Sequence, residues 1–518
     1  MADGSVGGAP ERAGRREWLG LAVIALPCLL YSMDLTVLNL AVPSISRELK
    51  PSAAELLWII DIYGFMVAGM LITMGTLGDR IGRRRLLMIG AAAFGTASVM
   101  AAFSTSALML IVMRAVLGIA GATLAPSTLS LIRNMFRDAH ERSIAIGVWI
   151  ASYSAGAAVG PVLGGALLEY YWWGSVFLIG VPVMLLLLVV GPLLLPEYRD
   201  PEARSASLDV ASVALSLTAV IATIFGLKRM AEDGPSLPAL LAVAAGLAIG
   251  VIFVRRQRGL ANPMIELRLF SDRAFSAALA VYGLGTFVAF GVFVFVAQYL
   301  QLVLGMGTLE AGLWTVPFAA AFVSGAMLAP RLAQRAGAAA VITGGLWLAA
   351  LGFCVLAMVD ETRSIAWLVS GFVIYALGLA PVFTLATDMV VGCAPPERAG
   401  AASAISETGS ELGGALGIAL LGSIGAAVYR HALPDLAGLG IPADGLAAAR
   451  DTLGAASDVA QHVGGAAGEA LAKAARVAFV KGLHASALAA ALAVGMTAWV
   501  TARPLREARE AAVSAVEG

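Results

Sequence analysis

Charged residues are scarce in this sequence. Asp, Glu, Lys and Arg together make up 13% of its 518 residues, whereas soluble domains contain about 25%. Hydrophobic residues account for 59%, which is more apolar surface than a water-soluble core can enclose. The formal net charge is zero, so the basic surface of a nucleic-acid-binding protein is excluded. We therefore expect a membrane protein that crosses the bilayer many times.

Cysteine and histidine are also rare. The three cysteines, Cys28, Cys354 and Cys393, lie far apart and the four histidines are scattered, so neither a disulfide framework nor a metal site is expected. The Walker loop (GxxxxGKS or GxxxxGKT) is absent from the sequence, and nucleotide binding is therefore not predicted. The sequence predicts no metal and no cofactor.

Long apolar runs stand where charge is missing. About 20 apolar residues cross about 30 Å of hydrocarbon, and runs of that length recur along the chain. The first run is too long for a signal peptide and contains Asp34, so we interpret it as an uncleaved first span. The fourteen predicted spans cover 18–43, 55–78, 86–103, 106–132, 142–168, 172–195, 208–230, 236–256, 273–301, 308–333, 338–358, 364–390, 398–427 and 478–503.

Positive charge is unevenly distributed between the two sides of these spans. With the N-terminus (1–17) in the cytoplasm, the arginine-rich groups at 78–85 and 254–258 and the tail (504–518) all fall on the inner side. The positive-inside rule thus predicts cytoplasmic termini. The chain is rich in Ala and Gly and uses Arg far more than Lys, which is typical of a GC-rich bacterial genome, so the expected location is the inner membrane of a bacterium. Residues 428–477 then lie outside, where we expect a short amphipathic helical hairpin that is either a passive connector or a lid over the outer mouth.

An internal repeat predicts the architecture. The stretch LAPSTLSLIRNMFRDAHERSIAIG (124–147) runs from span 4 into span 5, and LAPVFTLATDMVVGCAPPERAGAASA (379–404) runs from span 12 into span 13. Each has Leu-Ala-Pro followed by Glu-Arg at the next turn, which indicates a repeat with an offset of eight spans. We predict an all-α protein of two six-span halves, 18–200 and 259–503, separated by two inserted spans (201–258). Transporters are commonly built from such repeated halves.

Five motifs resemble those of one family. GTLGDRIGRRRL (75–86) resembles the loop between the second and third helices of the major facilitator superfamily, and LIVMRAVLG (110–118) occurs in span 4. GAAVGPVLGG (156–165) resembles the motif of its drug antiporters, while DLTVLNLAVP (34–43) and WIIDIY (58–63) are similar to its fourteen-span drug:proton antiporters.

The resemblance covers essentially the whole chain and implies a function. Such antiporters exchange protons for lipophilic cations, such as quaternary ammonium antiseptics and ethidium, without covalent chemistry. We therefore expect a monomeric proton-driven multidrug efflux pump in the lipid bilayer, and no enzyme. The same mechanism could instead export an endogenous metabolite or antibiotic. A proton symporter disagrees with the motif of span 5, and a non-transporting sensor or scaffold would leave the buried acids unexplained.

The arginine-rich loop after span 2 is a candidate gate. Its candidate residues are Gly78, Asp79, Arg80, Gly82 and Arg83. The glycines permit a tight turn, and Asp79 is expected to face the positive N-terminal end of span 13, near Pro396, while the arginines stay in the cytoplasm. The loop is then a conformational latch, or else a cluster that only fixes orientation.

The glycines of span 5 form a second structural candidate. Gly156, Gly160 and Gly164 share one helix face at a spacing of four, so a neighbouring backbone can approach closely. Pro161 is expected to bend the helix. A hinge is implied by the resemblance, and simple packing of small residues is the alternative.

Three ionisable residues are predicted at nearly one depth in the first half. At 1.5 Å per residue, Asp34, Asp61 and Arg114 each lie roughly 9–13 Å below the outer surface. Buried charges should face a cavity and one another. We predict that Asp34 is the principal proton-coupling acid, Asp61 a second acid and Arg114 the modulator of both. The alternative is a static salt bridge between Asp34 and Arg114.

The second half supplies candidate substrate-binding acids. Glu407 and Glu411 are four residues apart and so share one face of span 13 near the midplane. They would attract an organic cation, or else they only hydrogen-bond to helix ends. Asp388 is expected to be interfacial.

Ring faces attract quaternary ammonium groups, although most aromatics in membrane helices only pack. The candidate aromatic residues are Tyr31, Trp58, Tyr63, Trp149, Tyr153, Tyr282, Phe290, Trp314 and Tyr375.

Span 10 departs from some relatives in the family. Relatives that handle divalent cations have an additional acid within this span, whereas here Glu310 stands only at its outer end. We therefore expect monovalent lipophilic cations rather than divalent ones.

Overall fold

The structure, a computed structural model, describes residues 12–51, 53–198, 209–234, 236–260, 263–360, 365–395, 398–434 and 441–517. Within these ranges the regular secondary structure is helical. The α-helices are α1 (Arg15–Leu49), α2 (Ala53–Ile81), α3 (Arg83–Ala102), α4 (Ala107–Gly121), α5 (Leu124–Met135), α6 (Ala139–Tyr170), α7 (Ser175–Leu178), α8 (Gly180–Leu194), α9 (Val210–Asp233), α10 (Leu237–Gly259), α11 (Arg273–Gln298), α12 (Thr308–Leu313), α13 (Val316–Ala336), α14 (Ala338–Leu356), α15 (Ile365–Cys393), α16 (Ala399–Ala432), α17 (Ala443–Asp451), α18 (Leu453–Val463) and α19 (Gly465–Glu517).

Fourteen of the described helical segments are long and apolar enough to cross a membrane. This number confirms the prediction from the apolar runs, because a chain in hydrocarbon must satisfy its backbone polar groups within each segment. Three predicted spans are each broken into two helices, which the sequence pattern did not indicate. They correspond to α4 with α5, α7 with α8, and α12 with α13.

Helix ends differ most from prediction at the two ends of the chain. Span 1 was predicted to cover 18–43, but α1 runs from Arg15 to Leu49. Span 14 was predicted to cover 478–503, but α19 runs from Gly465 to Glu517. Hydrophobicity marks only the part of a helix that lies in lipid, whereas alanine-rich polar stretches have the intrinsic propensity to continue it. Much of the predicted loop at 428–477 is consequently helical.

The same helix pairs recur in the two halves. In the first half α1 packs on α6, α2 on α4 and α3 on α8; in the second, α11 packs on α16, α13 on α15 and α14 on α19. Each pair in the second half lies eight spans after its counterpart, which is the offset of the sequence repeat. The predicted fold class of two six-helix halves with two inserted helices is confirmed. The inserted helices α9 and α10 pack on each other, and α9 also contacts α2 and α16.

We call the end of the bundle that carries residues 78–85 the arginine face, and the other end the opposite face. The two halves meet closely near the arginine face through small residues. A Cβ on Gly75 would lie 2.9 Å from the carbonyl oxygen of Gly400, and one on Gly147 would lie 2.8 Å from that of Ala326. Side chains larger than hydrogen would therefore separate the halves here.

Helices α17 and α18 lie at the opposite face, within the predicted loop. They pack on each other, α17 contacts α16, and α18 contacts α19. The hydroxyl of Tyr429 donates a 2.7 Å hydrogen bond to the carbonyl oxygen of Ala449. These contacts join the hairpin to the second half.

The glycine face of α6 lies against α1. A Cβ on Gly156 would lie 2.1 Å from the carbonyl oxygen of Leu29, and one on Gly164 would lie 2.8 Å from a methyl carbon of Val37. Gly160 is buried, and α6 is helical through Pro161. The close backbone approach that the spacing predicts is present, while the hinge role stays a prediction.

We expect that Gly156→Ala lowers the stability of the protein by about 1–3 kcal/mol, because the added methyl group overpacks the contact with Leu29. The measurement is the thermal unfolding temperature of the purified protein in detergent. Gly165→Ala is the matched control, since nothing lies within 4 Å of its Cβ position and both variants gain the same helix propensity. Equal unfolding temperatures for the two variants would contradict the close contact.

Candidate functional site

A buried ion pair connects α1 and α4. The guanidinium of Arg114 donates from Nη1 to Oδ2 of Asp34 at 2.7 Å and from Nε to the carbonyl oxygen of Ile59 at 3.0 Å. Arg114 is 1% exposed, and its guanidinium lies 4.9 Å from the centre of the Tyr63 ring. The arginine is thus held by α1 and α2 together, at the depth where the sequence predicts a charged layer.

Asp61 does not join this pair. Its carboxylate forms an ion pair with Lys228 of α9, whereas the sequence predicts Arg114 as the modulator of both acids. Ile59, whose carbonyl oxygen binds Arg114, is fully buried. Since Asp61 follows two residues later, about 200° around the helix, its side chain points to the side of α2 on which α9 packs.

Lys228 is the functional candidate that the sequence reasoning missed. It lies near the end of span 7, where a lysine is ordinarily an interfacial anchor. Its ammonium group lies 5.1 Å from the centre of the Phe65 ring, and its side chain is 34% exposed. The sequence did offer one signal, because Asp61 and Lys228 lie at similar distances from the same membrane surface.

Two glutamates of α16 accept hydrogen bonds from tyrosines. Tyr31 of α1 donates its hydroxyl to Glu411 at 2.9 Å, and Tyr282 of α11 donates to Glu407 at 3.1 Å. Both glutamates are half-buried. The bond from Tyr31 joins the first half to the second, so Glu411 lies on the boundary between them. Each carboxylate keeps an oxygen that these tyrosines do not engage.

Four of the predicted aromatic residues form one cluster beside these acids. The ring of Tyr31 lies 5.9 Å from that of Tyr63 and 5.6 Å from that of Tyr153, and Trp149 lies 4.7 Å from Tyr153. The indole of Trp149 donates a 2.9 Å hydrogen bond to the hydroxyl of Thr128. We call Tyr31, Tyr63, Trp149 and Tyr153, together with Asp34, Arg114, Glu407, Glu411 and Tyr282, the central cluster.

Three other predicted aromatics lie elsewhere. Trp58 is 41% exposed and stacks on Phe225 of α9 at 6.4 Å. Tyr375 is buried among phenylalanines of the second half and stacks 4.7 Å from Phe353. Trp314 follows the last residue of α12, which packs on α6. These three therefore lie outside the central cluster as the structure shows it.

Asp34 also lines a small cavity inside the first half, between α1, α3 and the segment of α7 and α8. The cavity is lined by Leu30, Met33, Asp34, Val37, Leu38, Phe94, Ser98, Val176, Phe177 and Gly180. Asp34 therefore contacts Arg114 on one side and the cavity on the other, so a proton could reach its carboxyl group through the cavity.

The candidate gate has an unexpected arrangement. Gly82 has φ +108° and immediately precedes α3 as its N-terminal cap, as the turn requires. Arg83 pairs with Asp79 and is fully buried, so its guanidinium is enclosed by the protein rather than exposed to solvent. A Cβ on Gly400, in the first turn of α16, would overlap the Arg83 guanidinium. The loop does meet the start of α16, but through Arg83; Pro396 lies outside the described residues.

An ion pair between Arg142 and Asp388 links the two halves near the arginine face. Nε of Arg142 in α6 donates to Oδ1 of Asp388 in α15 at 2.8 Å. Both side chains are mostly buried. Asp388, expected to be interfacial, therefore takes part in a contact between α6 and α15.

The central cluster can bind positive charge in two ways. Its carboxylates can accept a proton or pair with a cation, and its tyrosine and tryptophan rings present faces that attract quaternary ammonium groups. The surrounding apolar helices lower the local dielectric, so each charge acts more strongly than in water.

Comparisons with known proteins match most of the chain. The model of the Major Facilitator Superfamily matches residues 24–418. The chain is 42% identical to the "Multidrug efflux pump LfrA" of Mycolicibacterium smegmatis, over 93% of this chain and 95% of the relative. It is 37% identical to the "Methyl viologen resistance protein SmvA" of Salmonella typhimurium, over 93% of this chain and 98% of the relative.

A solved structure supports the fold. The chain resembles the crystal structure of the human organic anion transporter MFSD10 (TETRAN) with a TM-score of 0.61 and 16% identity. The similarity covers 94% of this chain and 99% of the other.

We expect Arg114→Gln to destabilise the protein by about 3–5 kcal/mol, because it leaves Asp34 as a buried charge without its partner. Asp34→Asn/Arg114→Gln removes both charges and should recover most of that loss. Thermal unfolding in detergent measures both effects. If the single variant unfolds at the wild-type temperature, the pair does not stabilise this state.

Proposed function

This chain belongs to the Major Facilitator Superfamily, and we propose that it exports a lipophilic organic cation in exchange for protons. The family consists of membrane transporters, so the chain is a multi-pass membrane protein and a transporter rather than an enzyme. The names of its relatives, a multidrug efflux pump and a methyl viologen resistance protein, support drug efflux as the task and an organic cation as the cargo.

The observation that carries the proposal is the place of Glu411. Its carboxylate lies on the boundary between the halves, bound to Tyr31 of the opposite half at 2.9 Å. In repeat-built transporters the substrate binds at this boundary, and the halves rock around it. A cation that pairs with Glu411 and stacks on Tyr31 would replace a contact between the halves with contacts to itself.

Asp34 is the proposed proton carrier. Its carboxylate pairs with Arg114 and also lines the small cavity between α1, α3 and the segment of α7 and α8. Protonation of Asp34 would weaken its bond to Arg114 and free the guanidinium, which also holds the backbone of α2 through Ile59. In this way a proton would alter the contact between α1 and α2. No nucleotide or other cofactor takes part, and the proton gradient drives export.

In the proposed orientation the arginine face lies in the cytoplasm, in a bacterial inner membrane, with both termini on that side. Substrate loading from the cytoplasm then requires the contacts at Gly75 and Gly147 and the Arg142–Asp388 pair to open. The loop at 78–85 would act as the latch, with Arg83 against the first turn of α16. A monomer contains every residue that this cycle uses.

Cells that express the protein should expel ethidium, and a protonophore should abolish the expulsion, because the proton gradient is the only proposed energy source. Ethidium fluorescence in de-energised and re-energised cells measures the rate. Efflux that persists after the gradient is collapsed, with ATP still present, would rule out proton coupling.

Asp34→Asn should lose active efflux, since an amide cannot carry the proton. Its rate should fall to that of protonophore-treated cells. Glu310→Gln is the matched control, because it neutralises an exposed acid in the first turn of α12 and should leave efflux unchanged. Asp34→Asn/Arg114→Gln separates the alternative of a static salt bridge: a stable double variant that still transports would show that the pair is only structural.

Addition of benzalkonium to the detergent-solubilised protein should release protons into a weakly buffered solution, because in antiport the binding of the cation and the binding of the proton exclude each other. A pH-sensitive dye measures the release. Asp34→Asn should release fewer protons than Glu310→Gln. Binding of benzalkonium without any proton release would contradict antiport through these acids.

A further inference from the structure

The inserted helix α9 lies in the groove between the two halves. Its residues Val220 and Ile224 pack with Phe65 of α2 and with Ala415 and Ala419 of α16 in one buried apolar cluster. A Cβ on Gly69 of α2 would lie 2.5 Å from a methyl carbon of Leu217. The helix therefore contacts both halves directly and is part of the structure around the proposed substrate path.

This helix brings a positive charge to the acids. The ammonium group of Lys228 pairs with Asp61 of α2 and lies over the ring of Phe65. It is also within electrostatic range of the Glu411 carboxylate, which lies on the other half. A lysine ammonium between an acid and an aromatic ring has the surroundings that a bound organic cation would have.

The four acids of the site consequently differ in their partners. Asp34 is balanced by Arg114 and Asp61 by Lys228, whereas the contacts that the structure describes for Glu407 and Glu411 are hydrogen bonds from tyrosines. One positive charge on a substrate can be accepted at the glutamates without displacing a basic residue. Lys228 also acts on Glu411, so a second positive charge on the same substrate would meet the Lys228 ammonium group at Glu411 or would need an acid that already has a basic partner.

We propose that Lys228 is a specificity-determining residue that disfavours substrates with two positive charges, because its ammonium group occupies the place at Asp61 that the second charge would take. The inference rests on the proposed function, since it concerns which cations the same site accepts. It assigns the inserted helices a role in substrate selection, through a residue that neither six-helix half contains.

The test compares two dyes that share one ring system and differ in charge. Ethidium carries one positive charge and propidium two, and fluorescence anisotropy gives the Kd of each for the purified protein in lipid nanodiscs. The measured quantity is the ratio of the propidium Kd to the ethidium Kd. A residue that only supports the fold would change both Kd values by the same factor and leave the ratio unchanged.

We expect variants of Lys228 and of Asp61 to change the ratio of the propidium Kd to the ethidium Kd in opposite directions. Lys228→Met should lower it about tenfold, the effect of losing one close repulsive charge, while Lys228→Arg should leave it within twofold of wild type. Asp61→Asn should raise the ratio, because Lys228 then repels the second charge without a partner. Lys228→Met/Asp61→Asn should return it close to the wild-type value.

Arg229→Met is the matched control. Arg229 is the next residue of α9, and its guanidinium lies 5.6 Å from the centre of the Phe225 ring. Its replacement removes a positive charge at the same depth but leaves the Lys228–Asp61 pair in place. Its ratio should stay within twofold of wild type. If Lys228→Met fails to fold, the rise expected for Asp61→Asn alone still tests the inference.

The outcomes separate this inference from the proposed function. An unchanged ratio in both Lys228→Met and Asp61→Asn, or an equal shift in Arg229→Met, overturns the role of Lys228 and leaves cation export intact. If the wild-type protein binds neither dye and cells do not expel ethidium, the proposed function itself is overturned, and the inference with it.

Discussion

An ionisable side chain inside this bundle must find its partner within the protein, because hydrocarbon offers neither hydrogen bonds nor counter-ions. Three ion pairs meet that requirement, and each joins helices that are distant in sequence: Asp34 with Arg114, Asp61 with Lys228 and Arg142 with Asp388. The first lies within one half, the second reaches an inserted helix and the third crosses between halves. The arrangement of the helices therefore also sets the arrangement of charge.

The glycine contacts complement these pairs. Gly75 and Gly147 allow the halves to touch near the arginine face through backbone atoms, and such contacts have little side-chain entropy to lose when they form. Contacts of this kind are individually weak and can form and break together. Arg83, buried against the first turn of α16, adds a charged group to the same region. The arginine face thus combines small-residue packing with charged groups, whereas the central cluster is aromatic and acidic.

Sequence reasoning predicted what depends on the composition of single helices. The fourteen spans follow from apolar length, and the depth calculation brought Asp34 and Arg114 to one level, where the structure pairs them. It failed where the answer depends on which helix faces which. Lys228 was unidentifiable as a partner of Asp61 without knowing that α9 packs on α2, and Arg83 was assigned to the solvent because a run of arginines is ordinarily exposed. Helix breaks such as that between α4 and α5 depend on backbone geometry that hydrophobicity does not record.

The hairpin of α17 and α18 has a practical consequence. Leu453 and Ala456 of α18 are buried, as are Leu471 and Ala475 of α19, and α19 continues from there into the membrane without interruption. At 1.5 Å per residue its 53 residues extend about 80 Å, more than twice the hydrocarbon thickness. The hairpin is therefore firmly attached to the second half of the molecule. A spin label or an antibody fragment fixed to it would turn with that half and would report its rotation.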